Sequence, residues 1–217
     1  MSFQSYNSDG GTTLTCQRYF ALCWLNKQTV EPRSEQEQQD GIHRRLSRLA
    51  EELPSAAPLR PTVNELINVL PSLFSQETPR VLTHDAFTVT DILQDENDFH
   101  VTGIVDWSRA KIRPFGFDMD ILLHTTGINE LKRGWDDYSC KPLLYDTFWE
   151  EFWAATGIEE EETKKKTRSL AEAAGKVSAI IKLLFRWENG VSTEEVVLAE
   201  SKIKLLEGCF GVQAKRN

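Results

Sequence analysis

The sequence lacks any long apolar run: none of its 217 residues fall in a stretch of 18 consecutive apolar side chains. A membrane-spanning helix needs about 20 predominantly apolar residues, so we expect no transmembrane segment. The N-terminus has no basic start followed by an apolar stretch, and it therefore shows no secretion signal. We expect a cytoplasmic protein that does not bind membranes.

Cysteine and positive charge are also scarce. The four cysteines, Cys16, Cys23, Cys140 and Cys209, match no zinc-binding spacing. In a cytosolic protein we expect their thiols to be reduced. Lys and Arg number 25 against 33 Asp and Glu, which gives a formal net charge of -8. Because phosphate backbones are bound by clustered basic residues, we expect no nucleic-acid partner.

The apolar content is that of an ordinary folded domain. Hydrophobic residues make up 40% of the chain and include eleven Phe and six Trp, which is enough to build a core. We predict a single domain over residues 1–217. Its first 11 residues are expected to be loose, 12–75 and 117–208 to be helical, and 79–107 to contain a β-hairpin.

Apolar residues recur at helical spacing before and after the middle of the chain. The pattern predicts helices over 14–25 and 42–53, and another from Pro61 to Pro71. Later segments with the same signal are 117–124, 143–155 and 159–187. The dipeptide Asn189-Gly190 is expected to end the long helix, and Ser192 with Glu195 resembles a capping box for a last helix, ending near Leu206 and closed by Gly208.

The middle of the chain changes to β-like patterning. Short runs at 81–84, 90–94 and 99–105 are rich in Val, Ile, Leu and Thr. The acidic segment 95–98 between the second and third runs has the composition of a turn. This order predicts a β-hairpin, followed by a loop marked by Pro114 and Gly116.

Two motifs lie around this hairpin: LTHDAFTVTDIL at residues 82–93 and TGIVDW at 102–107. Together they resemble the aminoglycoside phosphotransferase and choline kinase family, in which the corresponding stretches read L-T-H-G-D-L-x-x-x-N-I-L and G-x-I-D-W/F. The segments Pro114-Phe115-Gly116, Gly134-Trp135 and Phe148-Trp149 are similar to fungal members of that family. The resemblance covers about residues 60–160.

The resemblance implies the protein-kinase-like fold and its phosphoryl-transfer site. We expect the C-terminal lobe of that fold alone, mainly α with a small β-hairpin (α+β). In such enzymes an Asp accepts the proton of the substrate hydroxyl, while an Asn and a second Asp hold Mg²⁺ against the phosphates of ATP. The N-terminal lobe supplies a glycine-rich loop and a strand lysine. Neither pattern occurs in this sequence, so we expect that lobe to be missing.

The carried-over motif positions depart from the family pattern. His84 matches the motif His, and Asp106 matches the metal-binding Asp. Asp85 stands at the Gly position, Ala86 at the catalytic Asp and Asp91 at the Asn. A methyl group cannot accept a proton, so competent phosphotransfer is not expected. Accordingly no cofactor is expected. Mg²⁺ and ATP would bind, through Asp91 and Asp106, only if phosphotransfer is retained.

Three functions remain open at this stage. The first expectation is a repurposed small-molecule enzyme of secondary-metabolite type, with isomerase, cyclase, lyase or hydrolase chemistry at His84, Asp85 and Asp106. The second is a non-catalytic pseudokinase that binds a metabolite or a protein. The third is residual phosphotransfer, with Asp85 as base. We also expect a second copy or a partner chain to cover the surface left by the missing lobe.

The predicted ligand is a small organic molecule held in the former substrate cleft. The candidate substrate-binding residues are Asp91, Trp107, Phe87 and Trp135. Structural roles compete with these assignments: Asp91 suits a turn and the two tryptophans suit a core. Likewise, Asp106 could cap a loop, and His84 could make a purely structural hydrogen bond.

Overall fold

The computed structural model describes residues 16–97, 101–130 and 134–212. The helices in these ranges are α1 (residues 16–25), α2 (Pro32–Glu52), α3 (Leu59–Leu73), α4 (Asp120–Thr125), α5 (Lys141–Thr156), α6 (Glu161–Leu184) and α7 (Glu200–Cys209). The strands are β1 (Arg80–Thr83), β2 (Ile92–Gln94), β3 (Val101–Ile104), β4 (Lys111–Pro114), β5 (Gly127–Glu130), β6 (Gly134–Asp137), β7 (Phe185–Glu188) and β8 (Val191–Val196). No helix within the described ranges is both long enough and apolar enough to cross a bilayer.

The strands form antiparallel pairs, β1 with β4, β2 with β3, β5 with β6 and β7 with β8. The β2–β3 pair is the predicted hairpin, with Ile92 opposite Ile104. The β1–β4 pair brackets this hairpin and places Thr83 opposite Lys111. The start of the first motif therefore lies beside the segment that follows the second motif.

Two hydrophobic clusters hold these elements. One is mainly aliphatic and joins α2, α3, α6 and α7 through residues such as Leu46, Leu59 and Ile180. The other is aromatic and joins α1, α5 and the residues around β4, with Phe148 and Phe152 fully buried. These two residues share one face of α5 because they are four apart. The aromatic cluster packs against the motif segments through Phe87, Ile92 and Ile104.

The predicted mainly α fold with small β-hairpins (α+β) is confirmed. Helices lie at the predicted positions in α1, α3, α5 and most of α6, whereas α2 begins at Pro32, ten residues before the predicted start at residue 42. The segment predicted as a helix over 117–124 is a 3₁₀ turn, Phe117–Met119, followed by α4. Pro71 does not end α3, which continues to Leu73. The part of the predicted third strand at residues 99–100 lies outside the described residues.

The C-terminal prediction was wrong in its local structure. The helix α6 ends at Leu184, and Asn189-Gly190 turns one strand into the next instead of separating two helices. Both residues have positive φ, 50° and 77°, as a tight two-residue hairpin turn requires. Residues 191–196 are therefore β8, and the last helix, α7, runs over Glu200–Cys209. The strands β4, β5 and β6 were not predicted.

Candidate functional site

The turn at His84 and Asp85, directly after β1, is fixed by one buried carboxylate. Asp118, 2% exposed, accepts hydrogen bonds from the backbone N–H of His84 (2.6 Å) and of Asp85 (3.1 Å). The hydroxyl of Tyr19 in α1 donates to the same carboxylate at 2.6 Å. A buried carboxylate is stable only when such donors surround it. Asp118 therefore ties the first motif to α1 and to the start of α4.

Asp85 takes up the backbone conformation that explains the family glycine at this position. Its φ is 64°, in the left-handed region where Asp and Asn are tolerated better than most residues. Its carboxylate pairs with Arg113 Nε at 2.6 Å and with Lys111 Nζ at 3.0 Å, both from β4. Burial alone would raise the pKa of Asp85, but the two cations outweigh it and hold the pKa below its ordinary value.

His84 is completely buried, and its ring is used for packing and one backbone hydrogen bond. The Nε2 atom lies 2.7 Å from the carbonyl oxygen of Val105, which can only accept, so Nε2 carries the hydrogen. The Nδ1 atom has no hydrogen-bond partner among the described residues. The ring centroid lies 5.4 Å from that of Phe87 and 5.1 Å from that of Trp107. These contacts link the two motifs.

Asp91 serves the local fold. Its Oδ2 accepts hydrogen bonds from the backbone N–H and from the hydroxyl of Thr88, both at 2.8 Å, which caps the 3₁₀ turn Val89–Asp91. Its carbonyl oxygen accepts the N–H of Val105 and so joins the turn to the end of β3. The carboxylate is thus engaged as a cap.

Asp106 is exposed and also has a positive φ, 60°. Its Oδ1 accepts a hydrogen bond from the Ser108 hydroxyl at 2.7 Å. Within the described ranges, no group of three or more His, Cys, Asp and Glu side chains is arranged to hold a metal ion. With Ala86 in place of a carboxylate and Asp91 used as a cap, this donor set does not fit a magnesium nucleotide.

An apolar cavity of about 420 Å³ lies beside the motifs, between α1 and the β2–β3 hairpin. Three aromatic side chains form one wall. Tyr19 lies 5.0 Å from Phe87 and 6.1 Å from Trp107 between ring centroids. The indole N–H of Trp107 donates to the Ile104 carbonyl at 2.8 Å, which fixes the ring on the cavity wall. The remaining wall comes from Ile92, strand β3 and four further residues of α1, Cys16, Gln17, Arg18 and Leu22.

The fold therefore places only some of the candidate ligand-binding residues at the cavity. Phe87 and Trp107 line the cavity, but Trp135 belongs to the aliphatic cluster and donates to Asp137 at 2.7 Å. The nearest thiol on the cavity wall is that of Cys16. Burial raises the pKa of Cys16 to about 12, so this thiol stays protonated at neutral pH.

The family of this chain follows from comparison with known protein families. The family model described as the phosphotransferase enzyme family (APH) matches residues 15–152, which is more than half of the chain. The chain belongs to the phosphotransferase enzyme family. A search of curated proteins found no match. Both motifs and the cavity lie inside the matched region of this phosphotransferase family member.

Sequence reasoning missed three residues that organise the site: Asp118, Lys111 and Arg113. Asp118 and Asp120 are the two carboxylates in the otherwise apolar segment 117–123, where acidic residues signal buried hydrogen-bond or ion-pair roles. Lys111 and Arg113 alternate along β4, a strand that was interpreted as a loop. Their pairing with Asp85 could be predicted only after β4 was placed beside β1.

Proposed function

We propose that this phosphotransferase family member is non-catalytic and binds an apolar small molecule in the cavity between α1 and the β2–β3 hairpin. The composition of the cavity wall carries the proposal. A cavity of about 420 Å³ is within the range of small-molecule sites, roughly 300–1,000 Å³. Its walls are mainly aromatic and aliphatic, with Gln17 and Arg18 of α1 as polar members, and its aromatic side chains Tyr19, Phe87 and Trp107 suit a flat ring system.

The positions of the polar motif residues support binding over the acid/base chemistry expected first. An acid or base must reach the reacting atoms of a bound substrate. His84 lies behind Phe87 and Trp107, with its Nε2 bonded to a backbone carbonyl. Asp85 is held by two cations on β4, and Asp106 is not part of the cavity wall. Of the three open functions, these contacts favour the pseudokinase.

Several large apolar side chains on the cavity wall or in the motif segments are also exposed. Large apolar side chains that remain at least one third exposed include Leu22, Leu82, Val89, Leu93, Val105 and Trp107. Apolar side chains around a cleft are typical of ligand or protein contact surfaces. That a second copy or a partner chain covers the surface left by the missing N-terminal lobe stays a prediction, as does the cytoplasmic location.

The cavity can be tested with a neutral apolar dye and a matched pair of variants. We expect N-phenyl-1-naphthylamine to bind saturably, with increased fluorescence. Leu22→Asp, which places a charge on the cavity wall, should weaken binding by about fivefold, equivalent to partial loss of one leucine contact. Leu25→Asp is the control, since Leu25 is similarly exposed on α1 (56% against 61%) but does not line the cavity.

Equal weakening by Leu22→Asp and Leu25→Asp would show that the dye binds apolar surface in general. That result, or dye binding that never saturates, would argue against a ligand site in this cavity. Circular dichroism and melting temperature of the two variants should match, because both replaced side chains are exposed.

A further inference from the structure

A second groove, of about 720 Å³, opens on α2, β4 and β8. It shares no lining residue with the apolar cavity. Basic side chains come to it from two directions. Arg44 and Arg45 project from α2, and Lys111 and Arg113 from β4. A basic groove is unexpected on a chain whose formal net charge is -8.

In this groove, the positive charges of Lys111, Arg113 and Arg45 outnumber the carboxylates paired with them. Lys111 and Arg113 share a single carboxylate, that of Asp85. Arg45 has no carboxylate within salt-bridge distance among the described residues, because its donors are directed at backbone carbonyls. Its Nε, Nη1 and Nη2 donate to the carbonyls of Thr193, Gly41 and Ser192. These three cations and one carboxylate leave two positive charges uncompensated.

The other charges along the groove remove this excess only in part. Arg44 is already paired with Glu194 at 2.8 Å. The acids on the groove wall, Glu31 and Glu37, are exposed, and Glu37 is paired with Arg33. Exposed charges are screened by salt far more than buried ones. Burial and the neighbouring charges of Arg113 and Arg44 lower the pKa of Arg45, and Glu194 opposes this only in part.

Donor groups remain available for a ligand. Arg113 uses only Nε for Asp85, and its guanidinium group lies 5.4 Å from the ring centroid of Phe117, which orients it. Its two Nη groups make no hydrogen bond within the described part of the chain, and its side chain is 18% exposed. The side chain of Lys111 is 40% exposed, and it uses one of its three N–H donors, for the hydrogen bond to Asp85.

We propose that this groove binds the phosphate group of a phosphorylated small molecule, held by Arg113 and Lys111 with Arg45 as a third positive charge. A phosphate monoester carries a charge of roughly -1.5 to -2 at neutral pH, which matches the uncompensated charge. The planar guanidinium of Arg113 offers two N–H groups to two phosphate oxygens, and Lys111 offers a point charge. The site is independent of the apolar cavity, so either proposal can fail alone.

Asp85 competes with the ligand for the same two cations. The predicted consequence is that removing its charge strengthens anion binding. Asn is the suitable replacement because it tolerates the positive φ of 64° at this position and keeps the side-chain shape. An anion site far from Lys111 and Arg113 would respond much less, because the cations freed by this change lie in the groove.

Isothermal titration calorimetry with inorganic phosphate, at constant ionic strength balanced with sodium chloride, tests the groove. The unmodified chain should bind phosphate saturably, at one site. Lys111→Gln should weaken binding by about fivefold, a change typical of the loss of one charge-assisted hydrogen bond. Asp85→Asn should strengthen it by about tenfold, equivalent to ~1.4 kcal/mol.

Lys204→Gln is the matched control, because Lys204 is an exposed lysine on α7 that does not line the groove. Its phosphate affinity should equal that of the unmodified chain. The proposal is overturned if phosphate gives no saturable heat, if Lys204→Gln weakens binding as much as Lys111→Gln, or if Asp85→Asn weakens binding. If Asp85→Asn does not fold, the comparison of the two lysine variants decides the matter. Replacing phosphate with citrate at the same ionic strength distinguishes a phosphate site from a general carboxylate site.

Discussion

Replacing Asp118 by alanine is expected to lower the free energy of unfolding by about 4 kcal/mol, because it leaves three donors without an acceptor. These donors are the backbone N–H groups of His84 and Asp85 and the hydroxyl of Tyr19. Both N–H groups are buried, so water cannot replace the carboxylate without disturbing the turn. Urea-induced unfolding followed by tryptophan fluorescence measures the loss.

Two further variants separate the parts of this effect. Tyr19→Phe removes one donor and should cost about 1 kcal/mol, while Asp118→Asn keeps one acceptor and should fall between the two. Asp136→Ala, at an exposed position on β6, is the control and should change stability by less than about 0.5 kcal/mol. If Asp118→Ala is no more destabilising than Asp136→Ala, this carboxylate does not hold the motif turn.

Replacing Gly116 by alanine is expected to lower the free energy of unfolding by about 3–5 kcal/mol, because backbone strain adds to overpacking. Gly116 has a φ of 103°, and a Cβ built on it would lie 2.6 Å from the Cα and carbonyl oxygen of Ala171 in α6. A backbone neighbour cannot move aside as a side chain can. Gly116 therefore permits the close contact between α6 and the segment that carries Asp118.

Gly157→Ala is a matched control for the strain alone. Gly157 follows α5 with a φ of 70°, but no atom lies within 4 Å of the position of its added Cβ. The free energy of unfolding of Gly157→Ala should fall by about 1 kcal/mol. The difference between the two glycine variants measures the packing contribution. Equal losses would contradict the close approach of α6 to Gly116.

The long helices could be predicted because their apolar spacing survives in the fold. Ile42, Leu46 and Leu49, which indicated an amphipathic helix, are all buried in α2. The aromatic residues at 148 and 152 indicated α5 for the same reason. In these elements the local pattern and the tertiary contacts agree, so periodicity alone was sufficient.

The short strands could not be assigned from periodicity. The strands β5 and β6 have four residues each, too few for alternation to be distinguished from a turn. The β7–β8 hairpin did carry a signal, since Asn-Gly is the preferred two-residue hairpin turn. That signal was interpreted as a helix end because Val196, Val197 and Leu198 resembled the start of a new helix.

The motif residues were located by resemblance, but their contacts depend on the pairing of distant segments. Ala86 at the catalytic position and Asp85 at the glycine position were visible in the sequence. That Asp85 pairs with Lys111 and Arg113 depends on the β1–β4 register. That Asp118 lies beneath the turn depends on the packing of α6 against residues 116–120. Neither arrangement has a signature in local spacing.

We propose that the polar motif residues stabilise the fold and do not hold a magnesium nucleotide. Calorimetric titration of the 217-residue chain with Mg²⁺-ATP tests this claim most directly. With Ala86 at the catalytic position and Asp91 acting as a cap, we predict no saturable binding and no transfer of phosphate. Asp106→Asn is the companion variant, since Asn keeps the side-chain shape and tolerates the φ of 60°. Saturable binding of Mg²⁺-ATP that Asp106→Asn abolishes would contradict the account.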